Sequence, residues 1–340
     1  MKVAINGFGR IGRLVLRSIV GADDIEVVAI NDLADPVALT YLFRYDSVHG
    51  RYDDPATLEN GSLNLAGRSI QMTAERSPKD AWAGLDIDIV IDATGVFRKR
   101  AGFTQHLEAG ARRVLLTAPS AEADRTIVFG VNEQDLDITT DFAVSNASCT
   151  TNCIAPVARV LHEAYGIATL GFTTVHAYTA SQALVDVPMR KLRRGRAAAL
   201  SMIPTTTGAS EALGQVMPEL RGRTCGTAIR VPTPDGSLTD MTLRFERPPA
   251  SAEALIEHLR AAASTARMAP VLEVSDDPHV SIDIVGNPHS AIVDTDQTHQ
   301  VSADTFKLMA WYDNEWGYSS RVVDLTRLMG QRLLATKGAA

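Results

Sequence analysis

A glycine-rich turn near the amino end constrains this chain most. Gly7-Phe8-Gly9-Arg10-Ile11-Gly12 follows the apolar run Lys2 to Ile5 directly and opens a segment with Ile11, Leu14, Val15 and Ile19 on one helical face. Strand, glycines and helix in that order let backbone N–H groups at a helix start meet a pyrophosphate. Asp32 closes the second apolar run, 20 residues past Gly12. A carboxylate there accepts from both ribose hydroxyls and repels a 2′-phosphate, which favours NAD over NADP. The bland alternative is a tight turn followed by a solvated aspartate. Arg10 and Arg13 suggest NADP instead, but Asp32 opposes the phosphate they would attract.

The rest of the first half alternates short apolar runs with helical or turn segments: Val3-Ala4-Ile5, Val27 to Ile30, Ile87 to Ile91, Val114-Leu115-Leu116, Ile127-Val128-Phe129 and Ala143-Val144. Near-continuous apolar runs suit strands covered on both faces, hence a doubly wound parallel sheet. After Cys149 the runs lengthen, at Thr169 to Tyr178, Thr227 to Val231, Ser237 to Phe245 and Thr305 to Trp311, with a helical segment at Ala252 to Arg267. This texture predicts a larger, mostly antiparallel sheet. From Ser319 onward, Val322, Val323, Leu325, Leu328, Met329 and Leu333 recur at helical spacing, so an amphipathic helix closes the chain. Periodicity leaves open which domain it packs on.

At 340 residues, 45% hydrophobic and 21% charged, the chain has the balance of a globular protein with two domains. It has no apolar stretch long enough to span a membrane, and Met1-Lys2 runs straight into the first strand, so a soluble, cytoplasmic protein without a signal segment is expected. A net charge of −7 opposes sequence-independent binding to nucleic acid or anionic lipid.

Only three cysteines occur, and two of them lie in Ser148-Cys149-Thr150-Thr151-Asn152-Cys153. A zinc site needs two further ligands at matching spacing, and none stands nearby. Sparse, odd cysteines argue against a disulfide framework. That leaves one reactive thiol beside one inert filler. Cys149 follows the strand Ala143 to Ser145 and precedes Ile154, Val157, Val160 and Leu161 at helical spacing. A helix starting near Ser148 sets orphan N–H groups beside the sulfur, whereas Cys153 falls one turn further in. Pro156 lacks the N–H that should bond to the Asn152 carbonyl, so either the first turns are distorted or the regular helix starts later. Of the eight histidines, His176 lies in the strand-like run Thr173 to Thr179, whose end could face the thiol.

With these residues in hand, the chain resembles phosphorylating glyceraldehyde-3-phosphate dehydrogenase over essentially its whole length. The resemblance is carried by Ile5 to Arg13, Tyr45-Asp46-Ser47-Val48-His49-Gly50, Ser145 to Cys153, Thr174-Val175-His176, Pro204-Thr205-Thr206-Thr207-Gly208, Arg230-Val231-Pro232-Thr233-Pro234 and Trp311-Tyr312-Asp313-Asn314-Glu315-Trp316-Gly317-Tyr318. It implies an α/β fold: a Rossmann-type doubly wound parallel sheet domain plus an α+β catalytic domain with a large mostly antiparallel sheet. The NAD-binding domain is then discontinuous, residues 1–148 and 315–340, around a catalytic domain at 149–314. The implied reaction converts D-glyceraldehyde 3-phosphate, NAD⁺ and inorganic phosphate to 1,3-bisphosphoglycerate, a step of glycolysis and gluconeogenesis. Cys149 is the implied nucleophile, forming a thiohemiacetal and then a thioester, and His176 the base. Thr179 and Arg230 match the pocket for the substrate's own phosphate. Ser148, Thr150, Thr207 and Gly208 match that for the attacking phosphate, and Arg194 lies where it could serve either. On the cofactor side Gly7, Gly9, Arg10, Ile11 and Gly12 match the pyrophosphate loop and Asp32 the ribose site. Arg76 matches a position near the adenine, Thr117 one near the nicotinamide, and Asn314 the ligand of the carboxamide. A homotetramer is implied, and no metal.

The chain departs from the family pattern in three places. Ser181 stands where some members carry an acidic residue, Asp235 to Asp240 differs from the usual apolar continuation, and Ala118 to Glu122 lacks a common lysine. Erythrose-4-phosphate dehydrogenase shares the cysteine and cofactor motifs, but its members depart at the segment that Thr205 to Gly208 keeps here. A catalytically vestigial NAD-responsive scaffold is opposed by the intact Cys149, His176, Arg230 and Asn314.

Overall fold

Burial on both faces explains the strands of the first half. Val3, Ala4 and Ile5, like Ile89, Val90 and Ile91, have no exposed surface, and such residues can be satisfied only within a sheet covered by helices on each side. The computed structural model describes residues 1–337. Its first elements are β1 (Lys2–Asn6), α1 (Arg10–Ile19), β2 (Glu26–Asn31), α2 (Pro36–Arg44), the small pair β3 (Tyr45–Asp46) and β4 (Gly50–Arg51), β5 (Ala56–Glu59), β6 (Ser62–Leu65) and β7 (Arg68–Thr73). Then come α3 (Pro78–Ala81), β8 (Ile89–Asp92), α4 (Arg100–Glu108), β9 (Arg113–Leu116), β10 (Arg125–Thr126) and β11 (Ala143–Ser145). One sheet runs β10-β11-β9-β8-β1-β2-β7-β6-β5. It is parallel from β10 to β7 and antiparallel from β7 to β5.

Two features differ from the reading of the runs. Ile127-Val128-Phe129 is not a strand: pairing stops at Thr126, and the chain turns through Gly130 at φ +84°. Ile127 and Val128 are buried all the same, so burial produced an apolar run without sheet pairing. The antiparallel extension β5 to β7 was not anticipated, although its turns carry a signal. Asn60-Gly61 and Ala66-Gly67 all have positive φ, between 49° and 76°, as a two-residue turn matched to strand twist requires.

The second half contains α5 (Cys149–Tyr165), β12 (Ile167–Ala177), β13 (Ile203–Thr205), α6 (Ala209–Val216), β14 (Thr224–Val231), β15 (Ser237–Phe245), α7 (Ala252–Ala263), β16 (Leu272–Ser275), β17 (Ala291–Gln300) and β18 (Thr305–Tyr312), before the closing α8 (Trp316–Lys337). Its sheet runs β13-β14-β12-β15-β18-β17-β16. Only β12–β14 and β16–β17 pair parallel, and the other neighbours are antiparallel. The chain divides into two compact units. One holds Met1–Ile127, Glu133–Ala147 and the chain from Ser319, the other Val128–Asn132 and Ser148–Tyr318. Within the first unit, α8 is tied down by Arg327, whose Nε lies 2.8 Å from the Asp24 carboxylate, and by Arg332, which donates to the carbonyls of Glu133 and Leu136. The excursion Val128–Asn132 belongs to the second unit, where Arg267 donates to the Val131 carbonyl at 2.8 Å.

Candidate active site

In the first unit, β1 pairs with β2 on one side and β8 on the other, so successive crossovers leave in opposite directions from its carboxyl end. Such a switch point opens a crevice. Here a cavity of about 480 Å³ is lined by Gly7, Gly9, Asp32, Leu33, Arg76 and Thr94, among others. Each glycine has its own reason. At Gly7, φ is +89° and a Cβ would fall 2.7 Å from the Thr94 backbone; at Gly12 it would fall 2.1 Å from the Gly7 carbonyl. At Gly9 a Cβ would meet nothing within 4 Å, so that backbone faces open space. Gly9 also caps α1 without any side-chain hydrogen bond, leaving the first N–H groups for an anion. The Asp32 carboxylate is oriented by the N–H groups of Phe8 (2.7 Å) and Ala34 (3.0 Å). These residues fit a dinucleotide.

Not every expected cofactor residue lines that cavity. The Arg10 guanidinium is 2.6 Å from the Asp46 carboxylate, which it holds down at about 2 against the opposing effect of burial. Any pyrophosphate contact by Arg10 or Ile11 therefore rests on the backbone at the start of α1. Thr117 follows β9, its N–H bonded to the Asp92 carbonyl at 2.9 Å, and Asn314 belongs to the second unit. Asn6 and Asn31 were missed by sequence reasoning. The Asn31 amide donates to Asn6 Oδ1 and the Glu75 carbonyl, both at 2.9 Å, bracing the strand ends under the cavity.

In the second unit, α5 begins at Cys149 itself. The preceding Ser148 caps it, its Oγ accepting from the Thr151 N–H at 3.1 Å. Ala147, just before, sits at φ +53°, a left-handed conformation that costs a non-glycine residue about 1 kcal/mol. The helix runs unbroken through Pro156 to Tyr165, so it starts no later than the thiol. Pro156 has no N–H, so the Asn152 carbonyl forgoes its usual i+4 helical donor. Cys149 is half-buried and Cys153 wholly buried. Burial pushes the Cys153 thiol far up, as suits an inert filler.

The partner of Cys149 is His176. Sγ lies 3.4 Å from Nε2. Nδ1 lies 2.8 Å from the Ala177 carbonyl and 2.7 Å from Arg230 Nη1. Arg230 is the register partner of His176 across the parallel β12–β14 ladder, and its Nη1 also donates to the Ala177 carbonyl at 2.8 Å. Because guanidinium only donates, Nδ1 either accepts from Arg230, with the ring proton on Nε2 facing sulfur, or carries the proton toward Ala177, leaving Nε2 as acceptor. Burial, then the charges of Arg230 and Arg194, lower His176 to about 3. Burial pushes the Cys149 thiol up, and Arg230 and hydrogen bonds from Thr150 pull it back.

Tyr312 was not singled out from sequence, yet it lies beneath the pair. Its ring meets His176 edge-on at 6.0 Å, and its hydroxyl is bonded to Thr150 (3.0 Å) and Thr174 (2.8 Å). Further out, Ser181 Oγ lies 2.8 Å from Thr179 Oγ1 and accepts from Arg194 Nη1 at 3.3 Å, while Arg194 Nε donates to Thr205 at 3.2 Å. Ile203 pairs with Arg230 across β13–β14, which brings this segment alongside. Thr207 and Gly208 lead into α6, where Thr207 Oγ1 accepts from the Ala209 N–H at 3.1 Å.

Comparison with known proteins agrees along both units. Residues 1–100 match the model of the glyceraldehyde 3-phosphate dehydrogenase NAD binding domain, and residues 148–314 that of its C-terminal domain. Glyceraldehyde-3-phosphate dehydrogenase of Borreliella burgdorferi is 49% identical over 334 residues, covering 96% of this chain and 99% of the relative. That of Geobacillus stearothermophilus is 46% identical over 336 residues, covering 98% and 99%. That of Kitasatospora aureofaciens is 49% identical over 333 residues, covering 97% and 99%. With nearly half its residues shared with such relatives and both domains matched, the chain belongs to the glyceraldehyde 3-phosphate dehydrogenase family.

Proposed function

We propose that this protein oxidises D-glyceraldehyde 3-phosphate with NAD⁺ and inorganic phosphate to 1,3-bisphosphoglycerate. The observation that carries the reading is the thiol–imidazole pair, 3.4 Å apart at a helix N-terminus with a guanidinium behind it. Cys149 sulfur adds to the aldehyde carbon as its proton passes to His176 Nε2, and the imidazolium stabilises the oxyanion of the thiohemiacetal. His176 returns that proton to the oxyanion, giving the thiohemiacetal hydroxyl, and takes it back as the carbon is oxidised. NAD⁺, when bound, supplies the two-electron acceptor by taking a hydride. A phosphate oxygen attacks the resulting thioester, the C–S bond breaks, and Cys149 leaves as thiolate with the acyl phosphate formed.

Arg230 and Thr179 hold the substrate's own phosphate, Ser148, Thr150, Thr207 and Gly208 the attacking one, and Arg194 stands close enough to serve either. A remote phosphate so anchored orients the reacting carbon. Gly7, Gly9, Arg10, Ile11 and Gly12 hold the pyrophosphate of NAD, Asp32 its ribose, Arg76 the adenine side, and Thr117 and Asn314 the nicotinamide. We assign residues 1–148 and 315–340 to the NAD domain and 149–314 to the catalytic one; the compact units differ in that Val128–Asn132, Ser148 and Glu315–Tyr318 fall in the second.

A cytoplasmic homotetramer is the assembly we infer. In its support, Leu184, Val185, Leu192, Leu200 and Met202 are each at least 66% exposed within one loop, more apolar surface than an isolated chain usually leaves to water. No helix among the described residues is long and apolar enough to cross a membrane. The test is NADH formation from the aldehyde, NAD⁺ and phosphate. It should require phosphate and vanish in Cys149→Ser; turnover without phosphate, or undiminished in the variant, would refute the reading.

A further inference from the structure

Ser237 is the first residue of β15 and has no exposed surface. Its Oγ accepts from the Ala177 N–H at 3.1 Å and donates to Asn314 Oδ1 at 2.5 Å. This short chain of bonds starts at the residue after His176 and ends on the amide taken above as the ligand of the nicotinamide carboxamide. We propose that Ser237 is a positioning residue for the cofactor: its hydroxyl fixes which end of the Asn314 amide is offered to the carboxamide.

Around Asn314 the backbone is already held. Tyr312 pairs with Ser237 in the β15–β18 ladder. Asp313 accepts from the N–H groups of Glu315 (2.8 Å) and Trp316 (2.6 Å) through Oδ1, and from that of Gly286 (2.7 Å) through Oδ2. What remains free is a half-turn of the amide about its last torsion, which exchanges oxygen for nitrogen. A fully buried hydroxyl must place its proton on an acceptor. Asn314 Oδ1 provides it, and the flipped amide would leave that proton unpaired. The favoured orientation therefore points Nδ2, a donor, away from Ser237 for use elsewhere. A carboxamide oxygen is a suitable acceptor for it.

The inference rests on Asn314 binding the nicotinamide end, and the experiment separates the two claims. NAD and ADP-ribose, which lacks the nicotinamide, are titrated by calorimetry into the full-length protein and into Ser237→Ala, Asn314→Ala and the double variant. Ser237→Ala should weaken NAD roughly tenfold while ADP-ribose binds as before, and the double variant should bind NAD no more weakly than Asn314→Ala alone. Equal weakening of both ligands, or of neither, would overturn the role of Ser237. Unchanged NAD binding in Asn314→Ala would instead remove the reading of Asn314. If Ser237→Ala fails to fold, Ser237→Cys keeps a weak donor in place and should give a smaller loss confined to NAD; a loss shared by ADP-ribose would again overturn the proposal.

Discussion

Arg230 acts on both members of the thiol–imidazole pair, and in the same direction. Its charge lowers the thiol of Cys149 and also lowers the imidazole of His176. Arg230→Ala should accordingly raise both pKa values, moving the pH profile of Cys149 alkylation by iodoacetamide upward and the NMR titration of His176 upward with it. If neither moves, Arg230 is not electrostatically coupled to the pair. Ser181 offers a second test at this scale. The Arg194 guanidinium donates to the neutral oxygens of Ser181 and Thr205, so its charge is available to a phosphate. In Ser181→Asp a carboxylate would compete for that guanidinium, and the KM for phosphate or for the phosphorylated aldehyde should rise about tenfold, as a charge-assisted pair of one to two kcal/mol requires. An unchanged KM for both would show that Arg194 faces neither anion.

At the scale of elements, α5 is held at both ends by devices that mutation can separate. Ser148 caps its start, and Gly166 ends it at φ +68°, where a Cβ would come within 3.0 Å of the Glu246 carboxylate. Ser148→Ala and Gly166→Ala should each cost about 1 kcal/mol in urea unfolding. Only Ser148→Ala should also raise the KM for phosphate, since Gly166 lies at the far end of the helix. Equal kinetic effects would mean that Ser148 serves the cap alone. Much of this element was legible in sequence: the helical spacing, the position of Cys149 and its inert neighbour. The conflict posed by Pro156 was not soluble there, because a missing hydrogen bond says nothing about how much packing surrounds it. Ile154, Ala155, Val157 and Ala158 around it are wholly buried, and that packing sustains the helix through the proline.

For the molecule as a whole, the buried imidazole makes stability depend on pH. His176 titrates near 3 when folded and near its ordinary 6.5 when unfolded. Between these values the unfolded chain binds a proton that the folded protein refuses, so stability falls as pH falls through that window. The loss attributable to His176 should reach a few kcal/mol by about pH 4. Urea midpoints at pH 7.5 and 4.5 should therefore drop further for the wild-type protein than for His176→Asn. Parallel drops would mean that the imidazole is not held neutral by the fold.

Local spacing was enough to determine the glycine turn, the acidic end of β2, the placing of Cys149 at the start of α5 with Cys153 buried one turn further in, and the change from parallel to antiparallel texture, since each depends on residues within a few turns or strands of one another. The pairing of His176 with Arg230 was beyond it, because that contact is set by the register of two strands separated by more than 50 residues. So was the hydroxyl chain through Ser237, which exists only once β12, β15 and the end of β18 lie side by side. Periodicity reports which face of an element is buried, whereas register and packing decide what that face touches, and here those contacts bias the protonation of Cys149 and His176.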